Sequence, residues 1–186
     1  MVEELQQINL VSVNCYKLTI KDWENKKQKI LDLIDINRED KRIDTCYSDY
    51  FTYGNRPPYM VELVSIIADE LQSFLDQTGM SFYPVQEWQM WSQRYIDSDY
   101  HGVHNHGFGH LSCILYVEFD SQHHQPTRFY SPIPDGFHGI IHNLQPPVNE
   151  GDLILFPSTI PHECPPSKCS IPRTVVAFNI PIGKND

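Results

Sequence analysis

The spacing of hydrophobic positions changes near Gly79. Before it, apolar residues in 22–34 and 58–77 recur every three or four positions, which predicts two amphipathic helices. Residues 9–20 are β-branched and partly alternating, so they predict a strand ahead of the first helix. The segment 37–57 is charged and rich in aromatic residues, which is typical of a loop and makes it a candidate lid over a substrate.

The second half of the chain consists of short β-prone segments separated by turn residues. These segments are 85–96, 111–119, 127–130, 138–144, 152–156 and 172–181. They lie too close together for helical crossovers, which predicts antiparallel strands in a sandwich or barrel. We therefore expect a mainly β fold with N-terminal helices, as one domain over 1–186. In it, 1–80 is a helical support region and 81–186 is the β core.

Composition narrows the class of protein. The chain has 186 residues, of which 40% are hydrophobic and 20% are charged, as expected for a folded domain. The formal net charge of −10 argues against a nucleic-acid partner. No apolar run is long enough for a bilayer, and residues 1–7 do not resemble a signal peptide. We expect a cytoplasmic protein with no membrane partner; its oligomeric state stays open.

Five cysteines are irregularly spaced and include no Cys-x-x-Cys pair, which argues against a zinc ribbon. Cys164 and Cys169 are close enough in sequence to approach each other. In a reducing compartment, however, we expect free thiols.

The histidines carry the strongest chemical signal, because all nine lie between His101 and His162. His104 and His106 form an H-x-H pattern, and alternation along a strand would place both imidazoles on one face. His162 follows an apolar strand and a turn, and could come from a neighbouring strand. Three imidazoles on one face predict a transition-metal site with open coordination positions. We expect His101 and His110 at its rim.

These residues belong to a longer pattern that resembles a known family. It consists of His104-x-His106, Ser112, Tyr116, the run Gly151-Asp-Leu-Ile-Leu-Phe-Pro-Ser158, His162 and Arg173. The pattern is similar to the iron(II)- and 2-oxoglutarate-dependent oxygenases, in particular to the prolyl-4-hydroxylase-like branch and its short bacterial and phage members. The resemblance covers about residues 86–181. It implies a double-stranded β-helix, a cupin-like jelly roll supported by two helices.

The resemblance also implies a set of metal ligands. His104 corresponds to the first histidine of the family's metal triad and His162 to the last. His106 stands where the family most often has a carboxylate, and three neutral imidazoles leave Fe(II) one charge more positive. Asp99 or Asp97 is the alternative source of a carboxylate.

Arg173 corresponds to the basic residue that pairs with the distal carboxylate of 2-oxoglutarate, a role that suits a guanidinium. Tyr95, Tyr116 and Ser112 resemble positions that contact the same co-substrate. The catalytic set implied by the resemblance is thus His104, His106, His162 and Arg173.

The implied activity is that of a dioxygenase that uses Fe(II), 2-oxoglutarate and O2, with ascorbate as an optional reductant. Its substrate would be a small molecule or a peptide, with a peptidyl proline as the first candidate. Two alternatives stay open: a cupin-like metal enzyme that does not use 2-oxoglutarate, and a non-catalytic metal-binding β-sandwich module. The chain has neither a Gly-x-Ser-x-Gly elbow nor a Gly-rich phosphate loop, which argues against a serine hydrolase and an NTPase.

Overall fold

A computed structural model describes residues 13–34, 41–43 and 45–183. The helices in this part of the chain are α1 (Trp23–Ile34), α2 (Tyr50–Tyr53), α3 (Met60–Ile66) and α4 (Ala68–Thr78), with a short 3₁₀ helix at Val85–Glu87. The strands are β1 (Tyr16–Thr19), β2 (Lys41–Ile43), β3 (Cys46–Ser48), β4 (Ser81–Phe82), β5 (Gln89–Asp97), β6 (His101–His104), β7 (His110–Glu118), β8 (Arg128–Tyr130), β9 (Asn143–Leu144), β10 (Asp152–Pro157), β11 (His162–Cys164) and β12 (Cys169–Gly183).

The strands form two antiparallel sheets that enclose a pocket. The larger sheet has the order β1-β10-β7-β12-β5-β3-β2, and β4 pairs with the end of β12. The smaller sheet has the order β6-β11-β8-β9. This arrangement confirms the expected mainly β fold, a jelly roll with supporting helices.

Alternation along the central strands divides the larger sheet into two faces. On β12, Val176, Phe178 and Ile180 belong to the core on the helix side. The intervening residues Arg173, Val175, Ala177 and Asn179 face the pocket between the sheets instead. The strands β5, β7 and β10 alternate in the same way, so each supplies one apolar face to the helices and one mixed face to the pocket.

The N-terminal helices cover the outer face of the larger sheet. Helix α1 confirms the first predicted helix, and its buried Ile30 and Ile34 pack into the helix-side core. The second predicted helix is divided at Ile67, whose φ of −108° and ψ of 15° interrupt the helical path between α3 and α4. Gly79 ends α4 in the left-handed conformation, as a helix C-terminus favours. None of the helices in the described ranges is long and apolar enough to span a membrane.

Several boundaries differ from the prediction. The first predicted strand is shortened to β1, and its residues 9–12 lie outside the described residues. The segment 37–57 is not a loop in its described part, because it contains the hairpin β2–β3 and helix α2. Strand β3 pairs with β5, so the hairpin extends the larger sheet, and none of the described residues of this segment lines the pocket. The predicted strand 138–144 contains only β9, and its earlier residues form a turn around Asp135.

The run that leads into β10 begins with a glycine, Gly151, because the structure leaves no space for a side chain there. Its φ is +79°, and a Cβ at this position would lie 2.7 Å from the Trp23 ring of α1. Its N–H and C=O bond to Tyr116 and Ile20, which ties the start of β10 to two neighbouring segments. Only glycine fits this close approach of helix and turn.

Candidate active site

The pocket between the two sheets brings the predicted site residues together. The larger sheet provides its floor through side chains of β5, β7 and β12, and the smaller sheet provides one wall through β6 and β11. It contains about 470 Å³ of empty space, counted to its open mouth. The predicted residues that line it are His104, His106, His162, Arg173, Tyr95 and Ser112.

Three imidazoles meet at one end of this pocket, which we call the histidine end. Strands β6 and β11 are neighbours, and His104 stands directly opposite His162 in their register. The ligand atoms of His104, His106 and His162 all lie within 4.8 Å of one another. Among the described residues this is the one group of three or more side chains that could hold a metal ion.

Backbone carbonyls orient two of these rings. His104 Nδ1 lies 2.8 Å from the carbonyl oxygen of Gly102, and His162 Nδ1 lies 2.9 Å from that of Ile160. Because a carbonyl only accepts, each Nδ1 must carry the proton, which leaves the Nε2 lone pair free. This is the tautomer that a metal-bound histidine needs.

His106 reaches the cluster by another route than the one predicted. Strand β6 ends at His104, so His106 lies in the following loop and does not share a strand face with it. Its N–H donates to the carbonyl of Ser158, and its ring stacks on Trp91 with 5.5 Å between centroids. The two imidazoles are close together, as predicted. A loop contact and an aromatic stack bring them together, however, and not a shared strand face.

Burial keeps the imidazoles uncharged at neutral pH. Desolvation lowers the pKa of His106 to about 4 and that of His162 to about 3, and the neighbouring histidines add to both shifts. The pKa of His104 is also lowered by desolvation. Neutral imidazole is the form that binds transition metals, so the cluster has the charge state needed for metal binding at physiological pH.

A buried cation occupies the other end of the pocket, which we call the arginine end. Arg173 is only 3% exposed. Its Nη1 donates to Cys164 Sγ, its Nη2 donates to Thr127 Oγ1 at 3.2 Å, and its Nε has no partner. Among the described residues no carboxylate forms an ion pair with it. Burial lowers its pKa, but nearby thiol and phenol groups more than offset this, and the net pKa is raised.

The predicted tyrosines surround this guanidinium. Its carbon lies 5.4 Å from the ring centre of Tyr95 and 5.6 Å from that of Tyr116. The Tyr116 hydroxyl donates to Thr127 Oγ1 at 2.9 Å. Ser112 lies elsewhere in the pocket and donates its Oγ proton to Asn179 Oδ1 at 2.8 Å. The two tyrosines are therefore placed beside Arg173, whereas Ser112 is turned towards the histidine end.

The alternative carboxylates are not part of the cluster. Asp99 is buried, and its carboxylate accepts hydrogen bonds from Arg42 at 2.6 Å and from the N–H of Ile96. Asp97 ends β5 with a positive φ of 50°. Of the two predicted rim histidines, His101 stacks on His104 at 4.2 Å and lines the pocket, while His110 is not among the lining residues.

Comparisons with known proteins agree with this geometry. Residues 89–179 match the family model described as "Putative 2OG-Fe(II) oxygenase". This part of the chain is therefore similar to the 2OG-Fe(II) oxygenases. A search of curated proteins finds no matching sequence.

Three solved structures have a fold similar to that of this chain. A prolyl-4-hydroxylase from Pseudomonas putida has a TM-score of 0.59 at 13% identity, over 91% of this chain and 93% of that chain. A viral collagen prolyl hydroxylase from Paramecium bursaria Chlorella virus-1, solved as a 2OG complex, gives 0.58 at 14% identity, over 91% and 96%. A 2OG-Fe(II) oxygenase family protein from Burkholderia pseudomallei gives 0.63 at 14% identity, over 90% and 84%. At these identities the likeness concerns the fold.

The donor set of this pocket fits a divalent transition metal and an anionic co-substrate. Two imidazoles already present a free Nε2, and the third lies within reach of the same point. At the other end, the unpartnered Nε of Arg173 marks a buried cation with unused donor capacity.

Three pocket residues were missed by sequence reasoning. Thr127 contacts Arg173, Cys164 also contacts Arg173, and Asn179 contacts both Ser112 and His106. The period-two alternation of β12 could have indicated Asn179, which lies six positions after Arg173 and so faces the same way. Nothing local to Thr127 or Cys164 indicates their contacts, because these depend on how β8 and β11 fold over β12.

Proposed function

We propose that the protein is an Fe(II)- and 2-oxoglutarate-dependent dioxygenase that hydroxylates a peptidyl side chain, with proline as the first candidate. One observation carries this proposal: a buried guanidinium without a carboxylate partner shares a pocket with three neutral imidazoles. A metal cation at one end and a dicarboxylate that reaches to the other would complete both sets of donors.

The proposed metal ligands are His104, His106 and His162. Their ligand atoms lie close together, and desolvation holds the rings neutral. A three-histidine set leaves open positions on the ion, as a catalytic centre needs. It also leaves the Fe(II) site more positive than the usual set with one carboxylate, which strengthens its attraction for an anionic co-substrate.

The proposed anchor of 2-oxoglutarate is Arg173. A buried charge is stable only when it is paired and hydrogen-bonded, and a carboxylate at Nε and Nη would provide that pair. Tyr95 and Thr127 form further walls of this end, and the Tyr116 ring lies beside the same guanidinium. The surrounding apolar side chains lower the local dielectric and so strengthen the pair.

In the proposed mechanism the residues of this chain bind, orient and exclude water. Fe(II) and 2-oxoglutarate would together supply the oxidising chemistry, in which decarboxylation to succinate and CO2 provides two electrons for the reduction of O2. The three imidazoles would hold the metal. Arg173 fixes the co-substrate at its far end, so that its reactive end faces the histidines. Trp91, in the floor of the pocket, stacks on His106 and restricts the orientation of its ring.

A peptide substrate is supported by exposed apolar side chains close in sequence to the proposed metal ligands. Val103 precedes His104 and Phe108 follows His106 by two positions, and they are 57% and 85% exposed. Exposed apolar side chains favour the binding of an apolar segment. The fold is also similar to that of two prolyl hydroxylases.

Anaerobic absorption spectroscopy tests the site directly. Addition of Fe(II) and 2-oxoglutarate to the metal-free protein should produce the visible charge-transfer band of the chelate. The band should be absent in His162→Ala, and Arg173→Gln should require far more 2-oxoglutarate to reach it. Arg128→Gln is the matched control, because Arg128 pairs with Glu163 outside the pocket. Metal binding without any band would favour a cupin-like metal enzyme, and no metal binding would favour a non-catalytic module.

The substrate class is tested separately. The aerobic, iron-loaded protein is incubated with proline-containing peptides and with matched peptides in which alanine replaces proline. The proposal predicts faster succinate release and the gain of one oxygen atom only on the proline peptides. Succinate release without peptide oxidation would contradict the peptide assignment and direct the search to small molecules.

A further inference from the structure

The third imidazole differs from the other two in what holds its second nitrogen. His104 and His162 present Nδ1 to backbone carbonyls, which can only accept. His106 Nδ1 instead faces the side-chain amide of Asn179, whose Nδ2 lies 3.3 Å away. An amide nitrogen can only donate, so in this arrangement His106 Nδ1 accepts and the proton of the neutral ring is on Nε2. A protonated Nε2 cannot bind a metal.

The Asn179 amide is part of a short chain of polar side chains. Its Oδ1 accepts from Ser112 Oγ at 2.8 Å, and its Nδ2 donates to Gln89 Oε1 at 3.1 Å. Asn179 is 3% exposed and Ser112 is 2% exposed, so no solvent competes for these bonds. The amide orientation therefore depends on Ser112 and Gln89 rather than on water.

These hydrogen-bonded side chains also permit the opposite orientation of the Asn179 amide. A rotation of 180° leaves the shape of Asn179 unchanged and places Oδ1 opposite His106. The Ser112 hydroxyl can accept as well as donate, and the Gln89 amide can turn in the same way, so each group keeps a partner. His106 then donates from Nδ1, and its Nε2 lone pair becomes available, as in the other two histidines.

We infer that Asn179 is a positioning residue whose amide orientation sets the tautomer of His106, and hence whether the third imidazole can bind the metal. This inference rests on the proposed metal site. It assigns Ser112 and Gln89 the role of holding that amide. The binding of metal is then coupled to a side-chain rotation in the floor of the pocket, whereas His104 and His162 need no such change.

Histidine tautomers in the metal-free protein provide the test, since long-range ¹H–¹⁵N correlation spectra distinguish Nδ1–H from Nε2–H. At mildly alkaline pH we expect Nε2–H for His106 and Nδ1–H for His104 and His162 in the wild type. Asn179→Asp offers only acceptor oxygens to His106, so His106 should change to Nδ1–H. His104 and His162 should stay the same in the same spectrum and serve as internal controls.

Metal affinity gives the second readout. Groups that orient a metal-bound histidine change affinity by about 10- to 100-fold. Co(II) titration should therefore show tighter binding in Asn179→Asp and weaker binding in Asn179→Leu. Asn143→Asp, on β9 in the smaller sheet, is the control for added negative charge. Gln89→Met removes the hydrogen-bond partner that the Asn179 amide has in either orientation. The His106 tautomer should therefore be less uniform in this variant than in the wild type.

The outcomes separate the inference from the proposed function. A His106 tautomer that is the same in the wild type, Asn179→Asp and Gln89→Met would overturn the inference, even if all three proteins bind Co(II). A wild type that binds no metal would overturn the proposed function, and the tautomer comparison would still be read in the metal-free proteins.

Discussion

The histidine end and the arginine end of the pocket are built in different ways. The histidine end uses two short strands, β6 and β11, and a loop, and its imidazoles are neutral. The arginine end lies on β12, which is hydrogen-bonded on both sides within the larger sheet, and it carries a buried positive charge. One end thus offers lone pairs without charge, and the other offers charge without a carboxylate partner among the described residues.

This difference indicates what kind of ligand the pocket is complementary to. Neutral lone pairs attract a metal cation, while a buried guanidinium attracts an anion. The two ends cannot satisfy each other, because neutral imidazoles cannot neutralise the charge of Arg173. A dicarboxylate that contacts a metal ion at one end and Arg173 at the other satisfies both requirements at once. The following predictions test whether the two ends have these separate roles.

Loss of a ligand at the histidine end should have the largest effect. His162→Ala removes the buried imidazole, and we expect Co(II) or Fe(II) affinity to fall by more than about 100-fold, beyond the effect of an orienting group. Calorimetric metal titration checks this. His142→Ala, at an exposed histidine in the turn before β9, is the matched control. Equal metal affinity in His162→Ala and the wild type would show that the metal lies elsewhere.

Loss of the charge at the arginine end should affect only the anion. Arg173→Met should weaken 2-oxoglutarate binding by roughly 100-fold, since truncation of a buried charge pair costs 2–5 kcal/mol. Metal affinity should stay within a few-fold of the wild type. Because an unpaired buried charge is destabilising, the ligand-free variant should be at least as stable to heat as the ligand-free wild type. Arg128→Met is the control, and a parallel loss of metal binding in Arg173→Met would contradict the separation of roles.

The pH dependence of stability should come from the histidine end. In the folded protein the pKa of His162 is about 3, so below pH 6.5 the unfolded chain takes up a proton that the folded chain does not. The free energy of unfolding therefore decreases as the pH is lowered, by about 2 kcal/mol for His162 alone between pH 6.5 and about 5. Urea unfolding of the metal-free protein measures this. The slope should be shallower in His162→Phe than in the wild type, and an equal slope in the two proteins would contradict the assignment.

The smallest effect is expected at a supporting hydroxyl of the arginine end. Thr127 Oγ1 accepts hydrogen bonds from Arg173 Nη2 and from the Tyr116 hydroxyl. Thr127→Val keeps the shape and removes both bonds, which should cost about 1 kcal/mol, or roughly fivefold in 2-oxoglutarate affinity. Thr127→Ser should restore most of the affinity. If Thr127→Val binds as tightly as the wild type, Thr127 does not position Arg173.

The comparison also shows what the sequence can and cannot predict. Alternation on the long strands places Tyr95, Tyr116 and Arg173 on one face, so the arginine end follows from period-two spacing. The position of His162 follows from its place after an apolar strand. The prediction that His106 shares a strand face with His104 was wrong, because β6 ends before His106. Tertiary contacts with Ser158 and Trp91 position it instead. The short strands β6 and β11 were missed, since they are stabilised by pairing with each other and not by a hydrophobic pattern.

The central claim is that one co-substrate spans both ends of the pocket. Anaerobic calorimetry of 2-oxoglutarate binding, with and without Fe(II), tests it most directly, with glutarate as a control that has both carboxylates but no keto group to chelate the metal. We predict that Fe(II) tightens 2-oxoglutarate binding by at least about tenfold, that 2-oxoglutarate tightens Fe(II) binding by the same factor, and that glutarate shows little of this coupling. Equal 2-oxoglutarate affinity with and without Fe(II) would contradict the claim, because the two ends would then not share one ligand.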